Sequence, residues 1–149
     1  MSVTHHTFSV DRSYDASPER VYAAWANLDE KRRWWAGGDD GLELDFRVGG
    51  RELSEGTAGD MRYRYEAVYQ DIVPNERIIY TYEMHINDAR TSVSVATVQF
   101  AAESDGTRLT FTEQGAFLDG LDSGELRENG TGSLLGFLDS YLAGERASA

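Results

Sequence analysis

Six strand-like runs follow one another in this chain without a helical stretch between them, and one long helical segment then closes it. Residues 42–46, 61–73, 76–86, 91–103 and 107–114 read as strands, and a sixth run begins at the glycine turn of residues 48–51. Ahead of them stands one alternating strand, residues 7–14, with Phe8, Val10, Arg12 and Tyr14 on one face. There is no alternation of strand and helix, which speaks against a parallel doubly wound sheet. The order predicts an α+β fold: a curved antiparallel sheet wrapped around a long C-terminal helix, with two short helices after the first strand. A sheet closed in this way leaves a hollow, and the hollow is the natural place for function.

Local signals place the boundaries. Ser17-Pro18 predicts a helix start, Ser17 capping and Pro18 at the first helical position, with Val21, Trp25 and Leu28 on one face. Asp29 is expected to cap a short second helix over residues 31–35, ended by Gly37-Gly38 and Gly41. Val48-Gly49-Gly50-Arg51 predicts a tight turn, residues 55–60 a longer loop, and Pro74-Asn75, Asn87-Asp88 and residues 104–106 further turns. Asp122 and Glu125 have capping-box spacing. The final helix is expected to face the sheet with Leu126, Gly130, Leu134, Phe137, Leu138 and Tyr141. Gly130, Gly132 and Gly136 each cost such a helix about 1 kcal/mol relative to alanine, which suggests close packing or room left beside it. Residues 1–149 are expected to form a single domain, ordered over about residues 7–143, with loose ends at residues 1–4 and 144–149.

Composition narrows the function classes. A net charge of −12 opposes binding to nucleic acid or to an anionic membrane surface. The absence of cysteine removes disulfides, thiolate nucleophiles and cysteine-held zinc together. No stretch has the length or apolarity of a membrane span or signal peptide, so a cytoplasmic location is expected. With 40% hydrophobic residues, a chain of this length has enough for a core and for lining a cavity.

Catalytic and metal motifs are sparse. His5 and His6 are adjacent and point to opposite faces of a strand; Asp39, Asp40 and Asp45 lack calcium-loop spacing. Neither a metal nor a cofactor is expected. No Gly-x-Ser-x-Gly elbow occurs, and residues 48–51 lack the lysine and hydroxyl of a nucleotide cradle. His85, near a strand end, could be a base or simply a satisfied edge histidine. Candidate ligand-contacting side chains are Trp34, Trp35, Phe46, Tyr63, Tyr65, Tyr80, Tyr82, Phe100, Phe111 and Phe117, with Leu134 and Leu138 from the last helix. Both faces of residues 61–73 carry tyrosine or apolar residues, so their inward parity stays open.

Glu113 is the sharpest candidate. It shares a face with Leu109 and Phe111, where a carboxylate must be hydrogen-bonded, paired or protonated. Without a cation its pKa would rise, which suits acid–base work; a salt bridge to Arg47, Arg64 or Arg127, or a tyrosine hydroxyl, would instead make it structural. Arg127, Glu128 and Asn129 lie near the expected opening, where they could gate or recognise a ligand or simply be solvated.

Five segments in order carry a resemblance. Residues 17–22 with Trp25, Lys31-Arg32-Arg33-Trp34-Trp35, residues 45–51, the hairpin of residues 65–82 through Pro74-Asn75, and residues 112–119 followed by 127–131 resemble the START-like (SRPBCC) superfamily. Within it the closest look is to homologues of the heat-shock-protein-90 ATPase activator. The resemblance covers roughly residues 8–142 and implies the helix-grip fold. It implies a small, mainly apolar or aromatic ligand held between the sheet and the C-terminal helix. Two alternatives stay beside it: a cavity enzyme of cyclase, dehydratase or hydrolase type using Glu113 with a tyrosine or His85, and a protein-interaction domain acting on a chaperone ATPase. Exposed strand edges and aromatic patches also suit a homodimer.

Overall fold

The computed structural model describes residues 1–35 and 41–148. The elements run β1 (Val3–Tyr14), α1 (Pro18–Ala26), α2 (Leu28–Lys31), β2 (Leu42–Leu44), β3 (Arg51–Ala58), β4 (Met61–Val73), β5 (Arg77–Ile86), β6 (Ala89–Glu103), β7 (Gly106–Leu118) and α3 (Gly124–Ser148). The seven strands form one antiparallel sheet in the order β1-β7-β6-β5-β4-β3-β2. Every neighbouring pair except β1 and β7 is joined by a direct connection. The first strand instead crosses to pair with the last, Val3 opposite Leu118 and Tyr14 opposite Thr107. The curved open sheet, long terminal helix and short helices after β1 make the α+β helix-grip fold that the order of elements predicts.

Several boundaries move. Asn27, not Asp29, caps α2, its side chain accepting from the Glu30 amide at 3.1 Å. The helix therefore spans Leu28–Lys31 and ends before the tryptophans, while the Gly37-Gly38 stop and the Asp39-Asp40 pair lie outside the described residues. Residues 55–58 are strand rather than loop, because β3 keeps pairing with β4 until Ala58 meets Met61. Ser123 rather than Asp122 caps α3, accepting from the Leu126 amide at 3.2 Å. The chain ends are also more structured than composition suggests. Ser2 exchanges two bonds with Asp119, at 2.7 and 2.9 Å, and α3 continues through Ser148.

Two irregularities explain why strand faces resist reading. In β4 the register shifts between Tyr69 and Asp71, so the inward set passes from Tyr65, Ala67 and Tyr69 to Ile72. Opposite Met84 and His85 the β6 register skips Thr91, whose hydroxyl donates to the Met84 carbonyl at 3.2 Å. Such bulges bend the strand and re-aim side chains.

The concave face is filled unevenly. At one end α1 presses Val21, Ala24 and Trp25 into the sheet, and Tyr22 meets Phe46 and Phe100 edge-on. At the other, α3 buries Thr131, Leu135, Leu138 and Leu142. This face differs from the expected one: Leu126 and Phe137 are each 58% exposed, and Leu135 is the buried anchor. The Tyr14 hydroxyl bonds the Leu135 carbonyl at 2.9 Å. Near the C-terminus Tyr141 donates to Glu30 at 2.8 Å, and Arg20 bridges Glu30 and Glu145. At the start of α3, Gly124 lies against His6 so closely that a Cβ would fall 2.1 Å from the imidazole. The helix is thus pinned at both ends.

Candidate functional site

Beneath the first half of α3 the concave face holds an open-mouthed cavity of about 320 Å³. Its floor is β5 and β7, which supply Tyr80, Tyr82, Met84 and Ile86, and Phe111 and Glu113. One side is Trp35 with Ser54 of β3 and Met61, Tyr63 and Tyr65 of β4. The roof is a helical stripe of Arg127, Gly130, Thr131, Leu134 and Phe137. Alternation in the strands and 3–4 spacing in the helix bring these residues to one space. The rim carries the exposed Met61 and Phe137.

The glycine at 130 has a definite role here. A Cβ at that position would meet nothing nearer than the Arg127 guanidinium at 3.8 Å, so the residue leaves room rather than relieving a clash. A Cβ at Gly132 would lie 3.5 Å from the Arg12 guanidinium, while Gly136 is exposed and a Cβ there would meet no other described residue within 4 Å.

Glu113 is 1% exposed and forms the polar point of an otherwise apolar and aromatic floor. The Tyr82 hydroxyl donates to its Oε2 at 2.8 Å. Burial pushes its pKa above the ordinary carboxylate value, while the Tyr82 hydroxyl and the Arg127 charge pull it back. Arg127 is itself paired with Asp122, Nε to Oδ2 at 3.2 Å. Of the expected partners, a tyrosine hydroxyl and the charge of Arg127 are present; Arg47 pairs with Asp45 and Arg64 with Glu55 and Glu66 instead. The Tyr65 hydroxyl is buried; by strict geometry it makes no hydrogen bond among the described residues, though the Tyr80 hydroxyl lies close enough to interact with it. Burial foremost, then the nearby Tyr80 and Glu52, hold its pKa well above the ordinary phenol value, so it remains a donor.

Eight of the sequence candidates, Trp35, Tyr63, Tyr65, Tyr80, Tyr82, Phe111, Glu113 and Leu134, line this space. Trp34, Phe46, Phe100, Phe117 and Leu138 do not. Trp34 packs edge-on to Trp25 and donates to the Ala24 carbonyl at 3.0 Å. Phe46 and Phe100 belong to the end filled by α1, and Leu138 is locked in the core at 0% exposure. Phe117 is buried beside Gly115. His85 cannot assist Glu113. It shares the outer face of β5 with Glu83, Nε2 to Oε1 at 3.7 Å, whereas Tyr82, Met84 and Ile86 point inward. Its parity with Glu83 is a signal that alternation already carried. Met61, Met84, Ile86, Thr131 and Ser54 escaped the sequence reading because nothing in their type marks a cavity wall.

Behind Trp35 lies a charged group that no motif announced. Lys31 Nζ is 2.6 Å from Glu52 Oε1 and 4.2 Å from the Trp35 ring centre. Tyr69 donates to the same carboxylate oxygen. Desolvation lowers the Lys31 pKa against the pull of Glu52. Among the described residues no group of three or more His, Cys, Asp or Glu is arranged to hold a metal, and no helix is long and apolar enough to cross a membrane.

Residues 15–143 match the family described as activator of Hsp90 ATPase homolog 1-like protein. The chain belongs to that family. Its members fall in the START-like superfamily and commonly bind hydrophobic ligands. The chain is similar to the Mll3558 protein of Rhizobium loti, with 46% identity and a TM-score of 0.90 over 95% of this chain and 99% of that one. It is also similar to an uncharacterised protein of Rhizobium leguminosarum, at 40% identity and TM-score 0.90 over 95% and 97% of the two chains. DynU16, a protein of the dynemicin biosynthetic locus, shares the fold at 16% identity and TM-score 0.71, over 92% of this chain and 47% of its own. Comparison with curated proteins gave no match.

Proposed function

We propose that this protein binds a small, mainly apolar or aromatic molecule in the space between α3 and the sheet. The observation that carries the reading is the cavity itself: about 320 Å³, aromatic on floor and side, with one hydrogen-bonded carboxylate at its base. That size and lining match small-molecule sites in general. Pinning α3 at both ends keeps the space from collapsing, which supports a preformed site. The family's habit of taking hydrophobic ligands supports the same reading. A cytoplasmic setting fits the acidic, cysteine-free composition. Native mass spectrometry of gently purified protein, followed by solvent extraction, tests it: a stoichiometric adduct released by solvent is expected. Protein that carries nothing and takes up no apolar probe contradicts it.

A second reading rests on Glu113. A carboxylate whose pKa is raised by burial can take a proton from a bound molecule and return it. In that case Tyr82 orients the carboxylate, and His85 takes no part. Glu113→Gln would then abolish turnover of a bound compound while leaving its affinity within a few-fold.

A further inference from the structure

We propose that the ligand is longer than the cavity: it sits with its polar end inward and leaves a hydrocarbon arm in the mouth, over Met61 and Phe137. This deepens the binding reading above and rests on it.

The polarity of the cavity is inverted. Polar side chains ordinarily gather where water reaches them, and apolar ones retreat. Here Ser54, Glu113 and Thr131 are buried, whereas Met61 is 39% and Phe137 58% exposed. Of the half-buried polar residues in the lining, Arg127 is paired with Asp122. An amphiphile placed in this gradient has its polar end inside and its apolar end at the water.

The last helix shows the same excess. Successive helical residues turn by about 100°, so Leu126, Phe137, Gly130 and Leu134 form one arc that runs on into the buried Leu138 and Leu135. The sheet covers only the second part of that arc, and Leu126 and Phe137 stay in water. A helix that has only to pack on a sheet needs apolar residues on the covered part alone. The uncovered part borders the mouth, because Phe137 and Gly130 belong to the cavity lining.

Neither a second copy nor a membrane suits this patch. The half-exposed side chains of Met61, Leu126 and Phe137 fall far short of the roughly 800 Å² that each partner of a stable dimer buries. The net charge of −12 repels an anionic bilayer. A small apolar patch continuous with a cavity is what the outer part of a ligand needs.

Four probes with one head group test this by calorimetric titration: 2-naphthol and its 6-propyl, 6-hexyl and 6-(6-hydroxyhexyl) derivatives. From propyl to hexyl the affinity is expected to rise about eightfold, or about twofold per methylene, half the free energy of full burial. The terminal hydroxyl of the fourth probe should cost less than about threefold against hexyl, because it reaches water. Held inside the cavity, it would cost about thirtyfold or more. In Met61→Ser/Phe137→Ser, with folding checked by circular dichroism, the rise from propyl to hexyl should shrink to about twofold or less. Three results overturn the exiting arm and leave the cavity a binding site: 2-naphthol that binds with no gain from the arm, a rise undiminished in the folded variant, or a hydroxyl penalty of about thirtyfold. Native protein that is dimeric by light scattering, with a monomeric variant, assigns the rim to a second copy and overturns it too. If none of the four probes binds, the binding reading fails and takes this inference with it.

Discussion

Lys31 and Glu52 face each other at 2.6 Å with each side chain only 1% exposed. They come from α2 and β3, and they hold the back of the Trp35 ring that walls the cavity. A buried pair is poor evidence of net stability, but breaking one leaves a charge stranded. Lys31→Met alone is expected to cost about 3–5 kcal/mol in urea unfolding, and Glu52→Gln a similar amount. The double variant Lys31→Met/Glu52→Leu should recover most of that loss. Equal losses in the single and double variants would mean that packing, not the pair, is at stake.

Tyr14 is the tie between the first strand and the last helix. Its hydroxyl meets the Leu135 carbonyl inside the core at 2.9 Å. Tyr14→Phe keeps the ring and removes the bond, so a loss of about 1 kcal/mol is expected in denaturant unfolding. Leu138→Ala, at a fully buried position on the same helix, should cost about 2–5 kcal/mol. A small effect at Leu138 would mean that α3 is not packed as described.

Much of this architecture was legible in sequence, and the failures have physical causes. Strand runs and the order of elements follow from alternation and turn residues, so the sheet and its closing helix were readable. Glu113 was readable from parity with Leu109 and Phe111. The inward face of β4 was not, because the register shift after Tyr69 passes the inward set from odd to even positions. In α3 the glycines blur the apolar stripe, so residue type alone favoured Leu126 and Phe137 over Leu135. Lys31 and Glu52 read as solvent-facing charges. Their pairing spans 21 residues and exists only once α2 lies on β3.

The glycines of α3 separate stability from room. Gly136 is exposed with open space around it, so Gly136→Ala should stabilise by up to about 1 kcal/mol in thermal unfolding and leave binding unchanged. Gly130→Ala should stabilise by a similar amount, since its Cβ meets nothing closer than 3.8 Å, yet it narrows the cavity. A destabilised Gly130→Ala would contradict the open geometry above that residue.

Glu113 gives a pH signature with a definite sign. Its folded-state pKa is raised by burial, so the folded state holds the proton more tightly than the unfolded chain. The stability this contributes is fully present below the ordinary carboxylate value of 4.5 and is lost as pH rises through the folded pKa. Relative to Glu113→Gln, the native protein should therefore lose stability as pH climbs from 4.5 through the raised folded pKa. Unfolding curves of both proteins across that range check it, and a native protein that holds or gains stability over the variant as pH rises would contradict the assignment.

The cavity can be watched directly through methionine. Of the three methionines, Met61 and Met84 line the space beneath α3 and Met1 lies at the exposed chain start. In protein labelled at the methionine methyl carbons, titration with 2-naphthol is predicted to move the Met61 and Met84 signals saturably and leave Met1 still. Gly130→Phe, which fills the space from the helix side, should abolish those shifts while the protein stays folded. Shifts at neither internal methyl, or shifts that survive Gly130→Phe unchanged, would contradict ligand binding between this helix and this sheet.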